Sequence, residues 1–260
     1  PLLSPIRSEA DFKRLDRQRI ADVTAPVLET LGRLNKIFNG TDTVGVAKPG
    51  STTLLGFTGA PFTVACYMVE GKGSRDFATV RKMAFSETAL FDRLIALLTE
   101  TTTEYLSAQI TAGAEAVMLF DSWAGLLPPS EFRRYVIEPT RQIVASLKAR
   151  HPGVRIVGFP RLGGIMVPEY AEKTGVDVVA LDTGTDLKKI LPLLPPSVGM
   201  QGNLDPIAVL AGGEAMKREA LYVREAGKGR AHVFNLGHGV LPQTPVEHVQ
   251  ELIRTIREEP

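Results

Sequence analysis

Short, mainly apolar runs recur along this chain, and each gives way to a polar or glycine-rich turn. The runs are Leu54 to Thr58, Ala116 to Phe120, Arg155 to Phe159, Val178 to Leu181, Ser197 to Gln201 and His232 to Leu236. The turns that follow include Gly59-Ala60-Pro61, Asp121-Ser122-Trp123, Pro160-Arg161, Asp182-Thr183-Gly184, Gly202-Asn203-Leu204-Asp205 and Gly237-His238-Gly239. A strand covered on both faces has no reason to alternate polar with apolar positions, so runs of this kind predict a parallel sheet between helical layers, an α/β fold. In such folds the loops leaving the carboxyl ends of the strands carry the chemistry, which directs attention to Ser122, Arg161 and His238.

Segments of helical period separate most of the runs. From Ser86, the positions Leu90, Leu94, Leu97, Leu98 and Tyr105 form one stripe, and Gly113 supplies a left-handed stop. Ser130, after Pro128-Pro129, is placed to cap a helix carrying Phe132, Tyr135 and Val136, which Pro139 kinks or restarts and Pro152-Gly153 ends. Asp205-Pro206 pairs a capping acid with proline at the first helical position. Ala211 to Gly229 reads as a helix with a glycine-rich exit. Pro245 to Glu259 reads as a final helix with Val246, Val249, Leu252 and Ile256 on one stripe. Asn39 to Gly50 is rich in turn formers and predicts an exposed loop.

With 260 residues the chain suits a single α/β domain, residues 1–260. Its 30 Lys and Arg balance 29 Asp and Glu, so no overall field calls for nucleic acid or an anionic membrane, and attraction for an acidic ligand must be local. The single cysteine, Cys66, excludes an internal disulfide and a multi-thiolate metal centre. No apolar stretch approaches the roughly 18 residues of a membrane span, and the expected setting is the cytoplasm. The opening, Pro1-Leu2-Leu3-Ser4-Pro5-Ile6, has the texture of a loop inside a protein, and six strands fall short of the eight that close a parallel barrel.

Several separated blocks then point one way. Gly56-Phe57-Thr58-Gly59-Ala60-Pro61-Phe62-Thr63, Tyr67-Met68-Val69-Glu70-Gly71, Phe120-Asp121-Ser122-Trp123-Ala124-Gly125, Gly158-Phe159-Pro160-Arg161, Gln201-Gly202-Asn203-Leu204-Asp205-Pro206 and Asn235-Leu236-Gly237-His238-Gly239 resemble the uroporphyrinogen decarboxylase family in order and spacing. The resemblance covers essentially the whole chain. It implies that family's distorted (β/α)8 TIM barrel, usually a homodimer with facing clefts, lacking here the first strand region. The family's Arg-Gln-Ala-Gly-Arg-Tyr motif and the Asp of its first strand have no counterpart, so the chain reads as amino-terminally incomplete.

The implied reaction removes carbon dioxide from the four acetate side chains of uroporphyrinogen III, leaving coproporphyrinogen III, without a cofactor or metal. By the same resemblance, Tyr67 orients a substrate acetate, Ser122 donates to substrate, and His238 contacts a substrate carboxylate as a partly protonated imidazole. Arg161 is a retained cation facing the carboxylates, and Phe120 walls the cleft. Each has a plainer reading: Tyr67 as a lid-helix residue, Ser122 as a turn or cap serine, His238 as a structural histidine and Arg161 in a surface salt bridge. Phe57 and Phe62 read as core. Asp121, Asp182, Asn203 and Asp205 read as turn or capping residues, and His151, His232 and His248 carry no assigned role. Lys72 breaks an expected glycine run. Two rivals are a related barrel methyltransferase acting on corrinoid or thiol substrates, which would need zinc ligands beyond Cys66, and a non-catalytic tetrapyrrole-binding fragment.

Overall fold

Parity along the strands organises this molecule, seen in a computed structural model that describes residues 4–39 and 52–257. The strands are β1 (Leu55–Gly59), β2 (Ala116–Asp121), β3 (Arg155–Pro160), β4 (Val178–Ala180), β5 (Gly199–Gln201) and β6 (His232–Val233). They pair in chain order, every pair parallel. Sequential parallel strands with helices between them are the connectivity of successive units in a (β/α)8 barrel. Among the described residues the sheet has two edges, β1 and β6, rather than a closed ring. The expected loop over Asn39 to Gly50 lies, but for Asn39, outside the described residues, as do Pro1 to Leu3 at the opening.

The pairing register puts Met118 opposite Val157, Phe120 opposite Phe159, and Ala180 opposite Gln201. Side chains of the same parity share a face, and here that is the concave one. Met118, Val157, Phe159 and Ala180 form a small cluster of their own there, with Phe120 and Val178 packed against it. The other parity, with Val117, Leu119, Ile156, Val179 and Met200, is fully buried against the helices in a much larger core. Burying each of these is worth about 1.5–3 kcal/mol, so the outer layer supplies most of the stability while the concave layer is left open to other uses.

The helices that build the outer layer include α1 (Ile20–Phe38), α2 (Pro61–Glu70), α3 (Ala78–Ser86), α4 (Thr88–Thr111), α5 (Glu138–Arg150), α6 (Val167–Thr174), α7 (Pro206–Ala211), α8 (Gly213–Ala226) and α9 (Val246–Arg257). The α4 stripe is broader than predicted. Leu90, Leu94 and Leu98 are buried as expected, Leu97 and Tyr105 only partly, and Phe91, Ile95, Thr99, Thr102, Thr103, Leu106 and Gln109 complete the buried face. Gly113 does stop this segment, at φ +115°. The edge strand β1 is held by a side chain: the Gln109 amide accepts from the Phe57 N–H at 2.9 Å and donates to the Phe57 carbonyl at 3.0 Å.

Capping followed the predictions at one helix and departed from them at another. Asp205 caps α7 by accepting from the Ile207 N–H at 2.8 Å. Ser130, by contrast, lies inside a helix that starts at Pro129 with Pro128 as its N-cap. That helix runs through a wide π turn, Arg133–Ile137, into α5. The wide turn accommodates Pro139, which has no N–H to offer the preceding turn.

Candidate active site

A cavity of about 350 Å³ opens on the concave face at the carboxyl ends of the strands. Leu55, Met118, Phe120 and Phe159 form its apolar floor, with Gln201 the polar member, and the segment Asn235 to Val240 closes one side. Phe57 departs from the core placement expected of it: it is 61 % exposed and stands edge-on to Phe120 at 5.8 Å. It shares the parity of Leu55, which turns it to the concave face of an edge strand. Phe62, of the following helix, is fully buried as expected.

His238 lines this cavity together with Phe120. Burial, and then the nearby Arg161 charge, hold its pKa below the ordinary 6.5. This shift favours the neutral imidazole over the protonated form that the sequence reading gave a part. Gly237 is needed for packing, because a side chain there would run into the backbone of Asp182 and Thr183, whereas Gly239 borders open space.

Arg161 follows the end of β3 and reaches back to β2, donating from Nη1 to the Ser122 carbonyl at 3.4 Å. It makes no ion pair among the described residues, so the surface salt bridge considered for it is absent there. Its turn is pinned from two directions. Asp182 accepts from the Leu162 N–H at 2.6 Å, and the Arg161 carbonyl accepts from the Gly125 N–H at 3.1 Å. Leu162 pays for this with a left-handed φ of +59°. Asp182 otherwise acts as the turn residue expected, accepting from the Gly184 N–H, while Asn203 donates to the Asp182 and Thr185 carbonyls at 2.8 and 2.7 Å.

Tyr67 lies in α2, 39 % exposed, and its hydroxyl oxygen accepts from Trp123 Nε1–H at 3.2 Å. Trp123 directly follows Ser122, so Tyr67, Ser122 and Arg161 form a chain of neighbours beyond the ends of β2 and β3. His238 and Phe120 line the cavity, Arg161 couples electrostatically to His238, and neither Tyr67 nor Ser122 is among the cavity-lining residues.

Asp121 differs most from its reading as a turn residue. It is 1 % exposed and points into the outer core, where the Thr63 hydroxyl donates to Oδ1 at 2.6 Å. Its Oδ2 is buried without a hydrogen-bond partner, and burial raises its pKa from 3.8 to about 7. Thr63 in turn accepts from the Trp123 N–H at 3.2 Å. Sequence reasoning assigned no role to Thr63, Trp123 or Gln201. For Gln201 a signal existed, a polar residue at the cavity end of an otherwise apolar run. For Thr63 and Trp123 it lay only in contacts across some sixty residues.

The remaining candidates have structural partners. His151 shares a hydrogen bond with Ser107 Oγ, His232 with the Gly202 carbonyl and His248 with the Val209 carbonyl. Cys66 is fully buried, and burial, then Asp121 and Glu70, push its thiol well up, which disfavours the thiolate a zinc site would need.

Comparison with known proteins gives this architecture its relatives. A methyltransferase from Methanosarcina mazei superposes with a TM-score of 0.72 at 21 % identity, over 98 % of this chain and 69 % of its own, which establishes the shared fold. The uroporphyrinogen decarboxylase of Gluconacetobacter diazotrophicus is 63 % identical over 258 residues, 99 % of this chain and 73 % of that protein. Those of Gluconobacter oxydans and Granulibacter bethesdensis are 59 % and 51 % identical, over 99 % and 97 % of this chain and 71 % and 72 % of theirs. The uroporphyrinogen decarboxylase (URO-D) family matches residues 1–259. Identity of this extent leaves no room for a different lineage on the same barrel: the chain belongs to the uroporphyrinogen decarboxylase family.

Proposed function

We infer that this chain carries out the decarboxylation of uroporphyrinogen III to coproporphyrinogen III, a carboxy-lyase step of tetrapyrrole biosynthesis. The observation that carries the reading is family membership along the whole chain, at up to 63 % identity. The site suits the chemistry. Loss of carbon dioxide from an acetate leaves a carbanion, and a pyrrole protonated at its α-carbon accepts that electron pair, so the substrate supplies its own sink. The protein's task is to hold a flexible polycarboxylate, keep water from the leaving carboxylate and tolerate positive charge on the ring.

Apolar walls from Phe120 and Phe159 suit the macrocycle's faces. Arg161, without an anionic partner among the described residues, is available to a substrate carboxylate, and His238 offers a neutral donor beside it. Tyr67, from α2, takes the orienting role and Ser122, on the turn after β2, the donating one. The protein acts as a single domain and as a homodimer. Among the described residues no helix is long and apolar enough to cross a membrane.

Anaerobic incubation with uroporphyrinogen, followed by oxidation and chromatography of the products, tests this reading. Porphyrins with seven down to four carboxylates are expected. Unchanged uroporphyrin, with binding retained, would instead support a non-catalytic tetrapyrrole-binding chain. Within the enzyme, Tyr67→Phe slows turnover without unfolding the protein, and His238→Asn changes substrate handling more than stability. Collapse of the fold in His238→Asn would return that residue to a structural role.

A further inference from the structure

We propose that Trp123 is a positioning residue for the decarboxylation, holding the Tyr67 hydroxyl so that its proton is presented to a substrate carboxylate. This deepens the decarboxylase reading and rests on it. An indole N–H can only donate, so the bond from Trp123 Nε1 at 3.2 Å must occupy a lone pair of the Tyr67 oxygen. The phenolic proton is then the group left over, and among the described residues it has no acceptor. An anion arriving beside Ser122, on the same turn as Trp123, and beside Arg161, which reaches that turn from the end of β3, is the acceptor this arrangement lacks.

Two further contacts hold Trp123, one to its ring and one to its backbone. The Phe77 ring lies 4.6 Å from Trp123 and 5.7 Å, edge-on, from Tyr67. Phe77 is fully buried and holds a left-handed φ of +49°, a conformation that a non-glycine residue keeps only where its surroundings impose it. Behind the indole, the Trp123 N–H is fastened to Thr63, whose own hydroxyl is held by buried Asp121. The phenol thus meets a donor whose ring and backbone are both anchored in the core, which is what pre-organisation of a site requires.

Trp123 is the single tryptophan of the chain, which permits a clean test. Biosynthetic replacement of tryptophan by β-(3-benzothienyl)alanine changes this one position, keeps its shape and removes only the N–H. We expect kcat/KM to fall about fivefold, the usual worth of one neutral hydrogen bond, and Trp123→Phe to do at least as much. In a Tyr67→Phe background the same replacement should have no further effect, because the indole acts through the phenol. Losses that multiply in the double variant, or an unchanged kcat/KM in the single one, would overturn the proposal.

A second readout needs no turnover. The ultraviolet resonance Raman band of the indole that reports N–H hydrogen bonding should shift in Tyr67→Phe. An unshifted band denies the bond and overturns the proposal whatever the activity. A shifted band in a chain that leaves uroporphyrinogen untouched would refute the decarboxylase reading and the catalytic role given to Trp123, while the contact itself stood.

Discussion

Asp121 should make the protein lose stability as pH rises through the acid range, and replacing it by asparagine should abolish that loss. A carboxyl that titrates near 3.8 when unfolded and near 7 when folded binds its proton more tightly in the native state. The sign follows: the native state is most favoured where Asp121 is protonated in both states, below about pH 3.8. It loses that advantage between the two values and levels off above about pH 7. A difference of about 3 pKa units at about 1.36 kcal/mol per unit amounts to about 4 kcal/mol. The cause is local, since Oδ1 has the Thr63 hydroxyl while Oδ2 is buried with no partner to offset lost hydration.

Asparagine keeps the oxygen that Thr63 needs and carries no charge. Its amide nitrogen replaces Oδ2 in the unpartnered position, at a pH-independent cost of roughly 1–3 kcal/mol. Urea unfolding of both proteins from about pH 4 to about pH 8 gives a difference curve in which the other titrating groups cancel. That curve should move in favour of Asp121→Asn by about 4 kcal/mol across the range, with a limiting slope of about 1.4 kcal/mol per pH unit. A difference that stays flat with pH, or turns against asparagine as pH rises, would refute the claim that this buried carboxyl is protonated in the folded acid form.

Gly125→Ala would push a methyl onto the Leu162 carbonyl, where both sides are backbone and cannot yield cheaply. We expect about 1–3 kcal/mol of destabilisation by urea unfolding, with reduced kcat/KM as the turns carrying Ser122 and Arg161 part. Arg161→Gln should raise the His238 pKa toward 6.5 without reaching it, because burial is the larger of the two causes. An NMR titration of the ring protons follows this, and an unmoved pKa would deny the coupling. Gln109→Ala should expose its effect at β1, leaving the Phe57 N–H and carbonyl without their partner. A loss of about 1–3 kcal/mol is expected, with faster amide exchange at Phe57.

Much of this was legible because the signals are local. A buried parallel strand announces itself within five or six residues, and every expected strand was found within a few residues of its predicted bounds. Asp205-Pro206 and Gly113 were equally readable, since capping and left-handed stops depend on immediate neighbours. The long helix α1 was the exception: Val23, Val27, Leu31, Leu34 and Phe38 recur at helical spacing, but Pro26 inside the segment reads as a breaker, and burial, which reaches only Leu31, did not mark the face. Ser130 misled because the proline ahead of it, Pro129, was already suited to the first helical position.

Taken alone, the order of residues determined the alternation of strand and helix, the carboxyl-end turns bearing Ser122, Arg161 and His238, and the family. What it could not determine was facing and company. Period-two alternation says that neighbours point oppositely, not which side is concave, and so Phe57 turned out exposed beside the cavity. Nor can it state the surroundings of a charge. The Asp121 carboxyl is raised to about 7 because α2 and the sheet enclose it, and Trp123 meets Tyr67 across 56 positions because the turn after β2 comes against helix α2. Desolvation and hydrogen bonding between distant segments exist only once the chain has closed on itself, and they set the chemistry of this site.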